Sequence, residues 1–87
     1  MLMPMKLPMG KLDKFDVGSR KLTVQTEFIP AALSRIETKV YLGGERKKVF
    51  ALEVQDPENE ELQQVLDEYH RARVQEIVDG LRRKNPG

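Results

Sequence analysis

The single histidine of the 87-residue chain, His70, is the residue best suited to acid–base or metal chemistry near neutral pH. A helical metal site needs a second ligand one turn away, and there only Asp67 offers a ligand oxygen, while Arg73 would repel a cation. A hydrolytic role needs a nucleophile, and both serines, Ser19 and Ser34, fall in predicted turns. We therefore predict an amphipathic His70 on a partly buried helix face, and no catalytic residue, cofactor site or metal ligand.

Two further patterns associated with catalysis or ligand binding have structural explanations. The acidic run DPENEE at residues 56–61 lies where a helix N-terminus favours negative charge, and nothing places two carboxylates across a cleft. Gly43 and Gly44 lack the phosphate-loop pattern and the strand-to-helix setting of a nucleotide site. We interpret the carboxylates as helix-stabilising and the glycines as a hairpin turn.

Basic side chains cluster in the segments ERKK and LRRK, and a surface formed by both would suit phosphate contacts. The candidate nucleic-acid contacts are Arg46, Lys47, Lys48, Arg82, Arg83 and Lys84. Against this function, the net charge is only +1, and residues 56–70 contain six acidic side chains and no lysine or arginine. On the predicted outer face of the sheet, Tyr41 is the only aromatic available for base stacking. Nucleic-acid binding is therefore the alternative hypothesis, and solvated charge is the simpler explanation.

The composition, 39% hydrophobic and 33% charged, is typical of a small folded domain. A chain of this length buries only about 60% of its unfolded surface, so its core is modest. The absence of cysteine removes disulfides and thiolate metal sites as further sources of stability. Oligomerisation is the usual remaining way in which a small domain gains stability, and we therefore expect a homodimer.

The N-terminal segment MLMPMKLPMG has prolines at positions 4 and 8 and a lysine at position 6. These residues interrupt helix, strand and any apolar stretch long enough for a signal peptide or a membrane span. We predict a flexible Met/Pro-rich arm at residues 1–10, a single domain at residues 11–87, a cytoplasmic location and no membrane partner.

Beyond the arm, apolar residues follow the period of two that is typical of half-buried strands. In KLTVQTEFI, one face carries Leu22, Val24 and Phe28. After a break at Pro30 the alternation resumes in RIETKVYL, whose inward residues are Ile36, Thr38, Val40 and Leu42. With the flanking segments KFDV and ERKKVFALEV, these runs predict an antiparallel meander of three or four strands.

Two glycine-containing turns determine the register of the predicted hairpins. The Gly-Ser dipeptide in DVGSRK suits a type II′ turn, which pairs Phe15 with Leu22. At the Gly-Gly dipeptide, a two-residue loop would turn Phe50 to the polar face. We therefore predict a three-residue loop with a glycine bulge, which pairs Thr38 with Phe50 and Ile36 with Leu52.

The last segment begins and ends like a helix, with Asp56 as N-cap, Pro57 at the first helical position and basic residues at the C-terminus. One apolar stripe consists of Leu62, Val65, Leu66, Tyr69 and Ala72. A second stripe, rotated by roughly a quarter turn or more, consists of Leu66, His70, Val74, Ile77 and Leu81. Because one sheet face would accept one stripe, we assign the second to a protein interface; bending of the helix around the sheet is the alternative.

The predicted fold class is α+β, an antiparallel three- or four-stranded β-meander packed on one long C-terminal α-helix. The predicted function is a non-catalytic protein–protein interaction or regulatory module, homodimeric through the C-terminal helix and able to bind a further protein. An exposed strand edge is a second predicted contact surface.

Overall fold

The computed structural model describes residues 7–56 and 61–84, which form four strands followed by one helix. The elements are β1 (Lys11–Val17), β2 (Arg20–Ile29), β3 (Arg35–Leu42), β4 (Glu45–Glu53) and α1 (Leu62–Lys84). The strands form one antiparallel sheet in the order β1-β2-β3-β4, and α1 packs mainly over β2 and β3. The predicted α+β meander on a C-terminal helix is confirmed, with four strands. The predicted helix start at Pro57, and residues 1–6 of the predicted arm, lie outside the described residues.

The β1–β2 hairpin has the predicted register, with Phe15 opposite Leu22. Gly18 has a φ of +62°, while every described residue other than glycine has a negative φ, so Ser19 follows in the ordinary region. This combination is the one that a type II′ turn requires, and it suits the right-handed twist of the two strands.

The β3–β4 hairpin has the predicted register but not the predicted loop. Thr38 faces Phe50, as the bulged register requires. The loop, however, contains two residues, Gly43 and Gly44, with φ values of +62° and +83°. Two consecutive positive φ angles fit a type I′ turn, which glycine adopts without strain. The bulge that corrects the register lies further along β4, where Lys47 is the extra residue of the ladder.

Two apolar clusters fill the space between the sheet and α1. The tip cluster, nearest the two hairpin turns, has Leu22, Val24 and Val40 at its centre. The base cluster, at the other end, has Ile36, Leu62 and Leu66 at its centre. Both helix stripes contribute, since Val65 and Tyr69 pack on the base cluster and Val74, Ile77 and Leu81 pack on the tip cluster.

The second helix stripe therefore lies on the sheet. Leu66 is fully buried, His70 is 5% exposed, and the other three residues are half-buried against the tip cluster. Our premise that one sheet face accepts only one stripe is wrong. Adjacent strands are rotated by about 20–25° relative to one another, so a helix crossing several strands meets a differently oriented surface along its length.

Candidate interaction surface

A hydrogen-bonded row of four polar side chains runs from Asp13, whose side chain is 51% exposed, through His70 to two fully buried threonines. Asp13 Oδ2 lies 2.6 Å from His70 Nε2, and His70 Nδ1 lies 2.7 Å from Thr26 Oγ1. The Thr26 and Thr38 hydroxyl oxygens are 2.7 Å apart. The row, which we call the polar row, connects β1, α1, β2 and β3 in sequence.

The polar row has the residue types of a nucleophile–base–orienter set, but its location favours a structural role. Both threonine side chains are fully buried, so neither hydroxyl faces a surface at which a substrate could bind. With neutral His70, Nε2–H donates to Asp13, Nδ1 accepts the Thr26 proton and Thr26 accepts the Thr38 proton. Each buried polar group in the row thereby has a partner, which removes the cost of burying it unpaired.

Sequence reasoning identified His70 but not the residues that bind it. The partners considered for it were Asp67 and the serines, whereas the observed partners lie on the sheet. A usable signal was present, because Thr26 and Thr38 occupy inward positions in otherwise apolar alternations. A polar residue on the inward face of a strand predicts a polar partner on the element that covers it.

The backbone of β1 is open on one side. The Gly43 N–H donates to the Lys21 carbonyl at 2.9 Å, which directs the Lys21 backbone to β3 and that of its neighbour Leu22 to β1. In an antiparallel ladder this direction alternates from residue to residue. The β1 residues with N–H and C=O groups on the open side are therefore Leu12, Lys14 and Asp16.

Charged side chains and helix contacts protect the β1 edge. Lys11 and Asp13 point to the helix side, where Lys11 Nζ lies 3.6 Å from Asp67 Oδ1 and Asp13 bonds His70. Just before the strand, the side-chain amide of Gln63 bonds both the N–H and the C=O of Met9, at 2.6 and 3.0 Å. Inward charges and lysines are the devices by which sheets discourage pairing with another strand.

The backbone of β4 is open at the opposite edge. The Val54 N–H donates to the Ser34 carbonyl at 2.8 Å. Because the direction alternates along the strand, the residues of β4 that bond β3 are Leu52, Phe50 and Lys48. The intervening residues, whose N–H and C=O groups point to the open side, are Val49, Ala51 and Glu53.

The side chains of the β4 edge are apolar between residues 49 and 52. Val49 is 45% exposed on the outer face and Leu52 is 39% exposed on the helix face, while Phe50 is half-buried. Beside Phe50, the Arg73 guanidinium of α1 lies 5.4 Å from its ring centroid and 4.8 Å from that of Tyr69. Phe50 and Tyr69 therefore stack on the same guanidinium, while the β4 residues Val49, Ala51, Leu52 and Glu53 remain exposed.

The two basic clusters lie at the same end of the molecule. Leu81 packs in the tip cluster with Val17 and Leu42, so the C-terminus of α1 lies over the hairpin turns. Among the candidate nucleic-acid contacts, five have exposed side chains, namely Arg46, Lys47, Lys48, Arg82 and Arg83. The Lys84 side chain lies outside the described part of the structure. The β3–β4 hairpin tip and the C-terminus of α1 therefore lie at the same end of the molecule, as a phosphate-binding surface formed by both clusters requires.

Comparisons with protein-family models, with curated proteins and with solved structures find no significant match for this chain. Within residues 7–56 and 61–84, no helix has the length and hydropathy of a membrane span. In the same ranges, no group of three or more His, Cys, Asp or Glu side chains is placed to hold a metal ion.

Proposed function

We propose that the protein is a non-catalytic protein–protein interaction or regulatory module that works as a homodimer. The observation that carries this proposal is the β4 edge, where three residues present unpaired backbone groups beside exposed Val49 and Leu52. Addition of a strand to such an edge is a common mode of protein recognition, because the backbone bonds give affinity and the side chains give specificity.

The proposed contact surface differs from the helix stripe that the sequence favoured. Leu66 and His70 are covered by the sheet, and a second chain would have to displace core contacts to reach them. The β4 edge needs no such rearrangement, since its groups already face outward. We therefore propose a strand edge, the second contact surface suggested by the sequence, as the main dimer interface in place of the helix stripe.

The non-catalytic part of the proposal rests on the environment of His70. Both ring nitrogens already have partners within the fold, and the hydroxyl beside Nδ1 belongs to fully buried Thr26. A hydroxyl buried in this way offers no surface on which a substrate could meet it, so we assign the histidine to the stability of the fold rather than to turnover.

Light scattering after size-exclusion chromatography tests the homodimer directly. Over a range of loading concentrations, we expect the mass to rise towards twice the 10.0 kDa of one chain. A constant mass of one chain up to millimolar loading would contradict the homodimer.

Nucleic-acid binding is a second candidate, favoured by the position of both basic clusters at one end of the molecule. Fluorescence anisotropy with RNA and DNA oligonucleotides at low and high salt tests it, because phosphate contacts weaken steeply with salt. A pair of variants with the same change in net charge, Arg82→Gln with Arg83→Gln at the basic end and Gln64→Glu with Gln75→Glu elsewhere on α1, separates local contact from total charge. Absence of binding at low salt would eliminate this candidate.

A further inference from the structure

We infer that the partner at the β4 edge is a second copy of this chain, paired antiparallel about a two-fold axis at Ala51 so that two sheets join into one of eight strands. This inference rests on the proposed homodimer and specifies its geometry. It follows from three properties of β4, namely the direction of its open backbone groups, the sizes of its side chains and the order of its charges.

The open backbone groups determine the axis. In a symmetric antiparallel pair, opposite residues have the same face and their numbers have a constant sum. An axis at Ala51 pairs Ala51 with its own copy and Val49 with Glu53 of the partner subunit, so every open residue of β4 meets another. An axis at Val49 would pair Ala51 with Lys47 of the partner subunit, and an axis at Phe50 would pair Glu53 with it. Lys47 is the bulge residue, where the ladder is irregular.

The side chains fit the same axis. Ala51, at the centre, is small and exposed, so two copies meet on the outer face without a steric clash. On the helix face, Phe50 of each chain lies opposite Leu52 of the partner subunit. This contact covers the 39% of Leu52 that one chain leaves exposed.

The charges of β4 select a second copy in antiparallel orientation. After Glu45, the strand continues with basic Arg46, Lys47 and Lys48, and it ends with acidic Glu53. Antiparallel self-pairing brings the basic start of one strand beside the acidic end of the other. Parallel self-pairing would bring like charges together, which is unfavourable.

Because the chain has no cysteine, single-cysteine cross-linking can test the axis in the full-length protein. Ala51→Cys would place two sulfurs across a hydrogen-bonded pair, with Cα atoms about 5.5 Å apart and within the range of a disulfide. Val49→Cys is the matched control on the same strand and the same face. Its two copies would lie about 14 Å apart, four residues along the strand. Under mild oxidation we expect Ala51→Cys to form covalent dimer at least tenfold faster than Val49→Cys.

The outcomes separate this inference from the proposed function. Covalent dimer at Ala51→Cys but not at Val49→Cys supports the axis, provided that both variants keep the wild-type mass in reducing buffer. A wild-type dimer in which neither variant cross-links would overturn the β4 interface and leave the homodimer standing. Faster cross-linking of Val49→Cys would overturn the axis, and a monomeric wild type would overturn the homodimer and the axis together.

Discussion

Strands β1 and β4 are the two edges of one sheet, and they differ in charge and in contact with the helix. Charged side chains recur throughout β1, and two of them bond α1 through Asp67 and His70. In β4 the charges lie at the ends, and residues 49–52 between them are uncharged. The helix packs mainly over β2 and β3, so its contacts do not close the β4 edge.

The comparison indicates that an edge strand is closed or left open by its side chains rather than by its backbone. Both strands present three residues with open N–H and C=O groups, and both belong to antiparallel hairpins, of which the β3–β4 hairpin carries the bulge at Lys47. In β1, Asp13 and Lys11 use the inward face for bonds to the helix, and the apolar Phe15 and Val17 on that face are half-buried against the tip cluster. In β4, the inward face offers Phe50 and Leu52.

Removal of the imidazole should have the largest effect, because it breaks the bond that holds the β1 edge to the helix. His70→Ala leaves a cavity and deprives buried Thr26 of a partner, so we expect a loss of about 2–4 kcal/mol in unfolding free energy. Urea denaturation measures this loss. Hydrogen exchange should also show faster exchange in β1 than in β3.

The control for this change is Gln75→Ala, at an exposed position on the same helix. We expect it to alter the unfolding free energy by less than about 0.5 kcal/mol. A His70→Ala variant as stable as Gln75→Ala would show that the polar row contributes little, and the contrast between the two edges would then rest on charge alone.

The strands and their registers could be predicted because they depend on local chemistry, namely the period-two alternation and the glycine turns. The β3–β4 register was right for a partly wrong reason, since the extra residue is Lys47 and not a loop residue. A bulge in the loop and a bulge at Lys47 give the same pairing beyond residue 47. The hydrophobic pattern of Phe50 and Leu52 therefore cannot distinguish these two positions of the bulge.

The candidate site could be predicted only in part, because it depends on where the helix crosses the sheet. Sheet twist lets both helix stripes pack inside one chain, and it brings His70 to Asp13, 57 positions away in sequence. Nothing local to either residue indicates that contact. The open β4 edge, in contrast, could be suggested from the uncharged run VFAL in a terminal hairpin, although the sequence alone did not show which strands form the edges.

Proline substitutions, one at each edge of the sheet, should have the second-largest effect and should distinguish β4 from β1. Ala51→Pro removes an N–H that points to the open side and breaks no bond to β3, and by symmetry it deletes two intersubunit hydrogen bonds. At about 1 kcal/mol each, their loss raises the dimer Kd about thirtyfold. Sedimentation equilibrium measures the change.

The matched variant at the other edge is Lys14→Pro, whose N–H also points to the open side. We expect its dimer Kd to stay within about twofold of the wild type, because β1 does not take part in the interface. Equal weakening by both prolines would mean that the dimer uses both edges or neither, and the distinction between β1 and β4 would fail.

Charge reversal should give the smallest effect and tests the polarity of β4. Glu53→Lys places a positive charge beside the basic start of the partner's strand, so the Kd should rise by about two- to fivefold, as expected for exposed ion pairs worth up to about 1 kcal/mol. The rise should disappear near 1 M salt, where the Debye length is about 3 Å. Asp16→Lys, the same reversal at the β1 edge, should leave the Kd unchanged. If Asp16→Lys weakens the dimer as much as Glu53→Lys does, the effect reflects net charge, and the antiparallel order of charges in β4 has no part in partner selection.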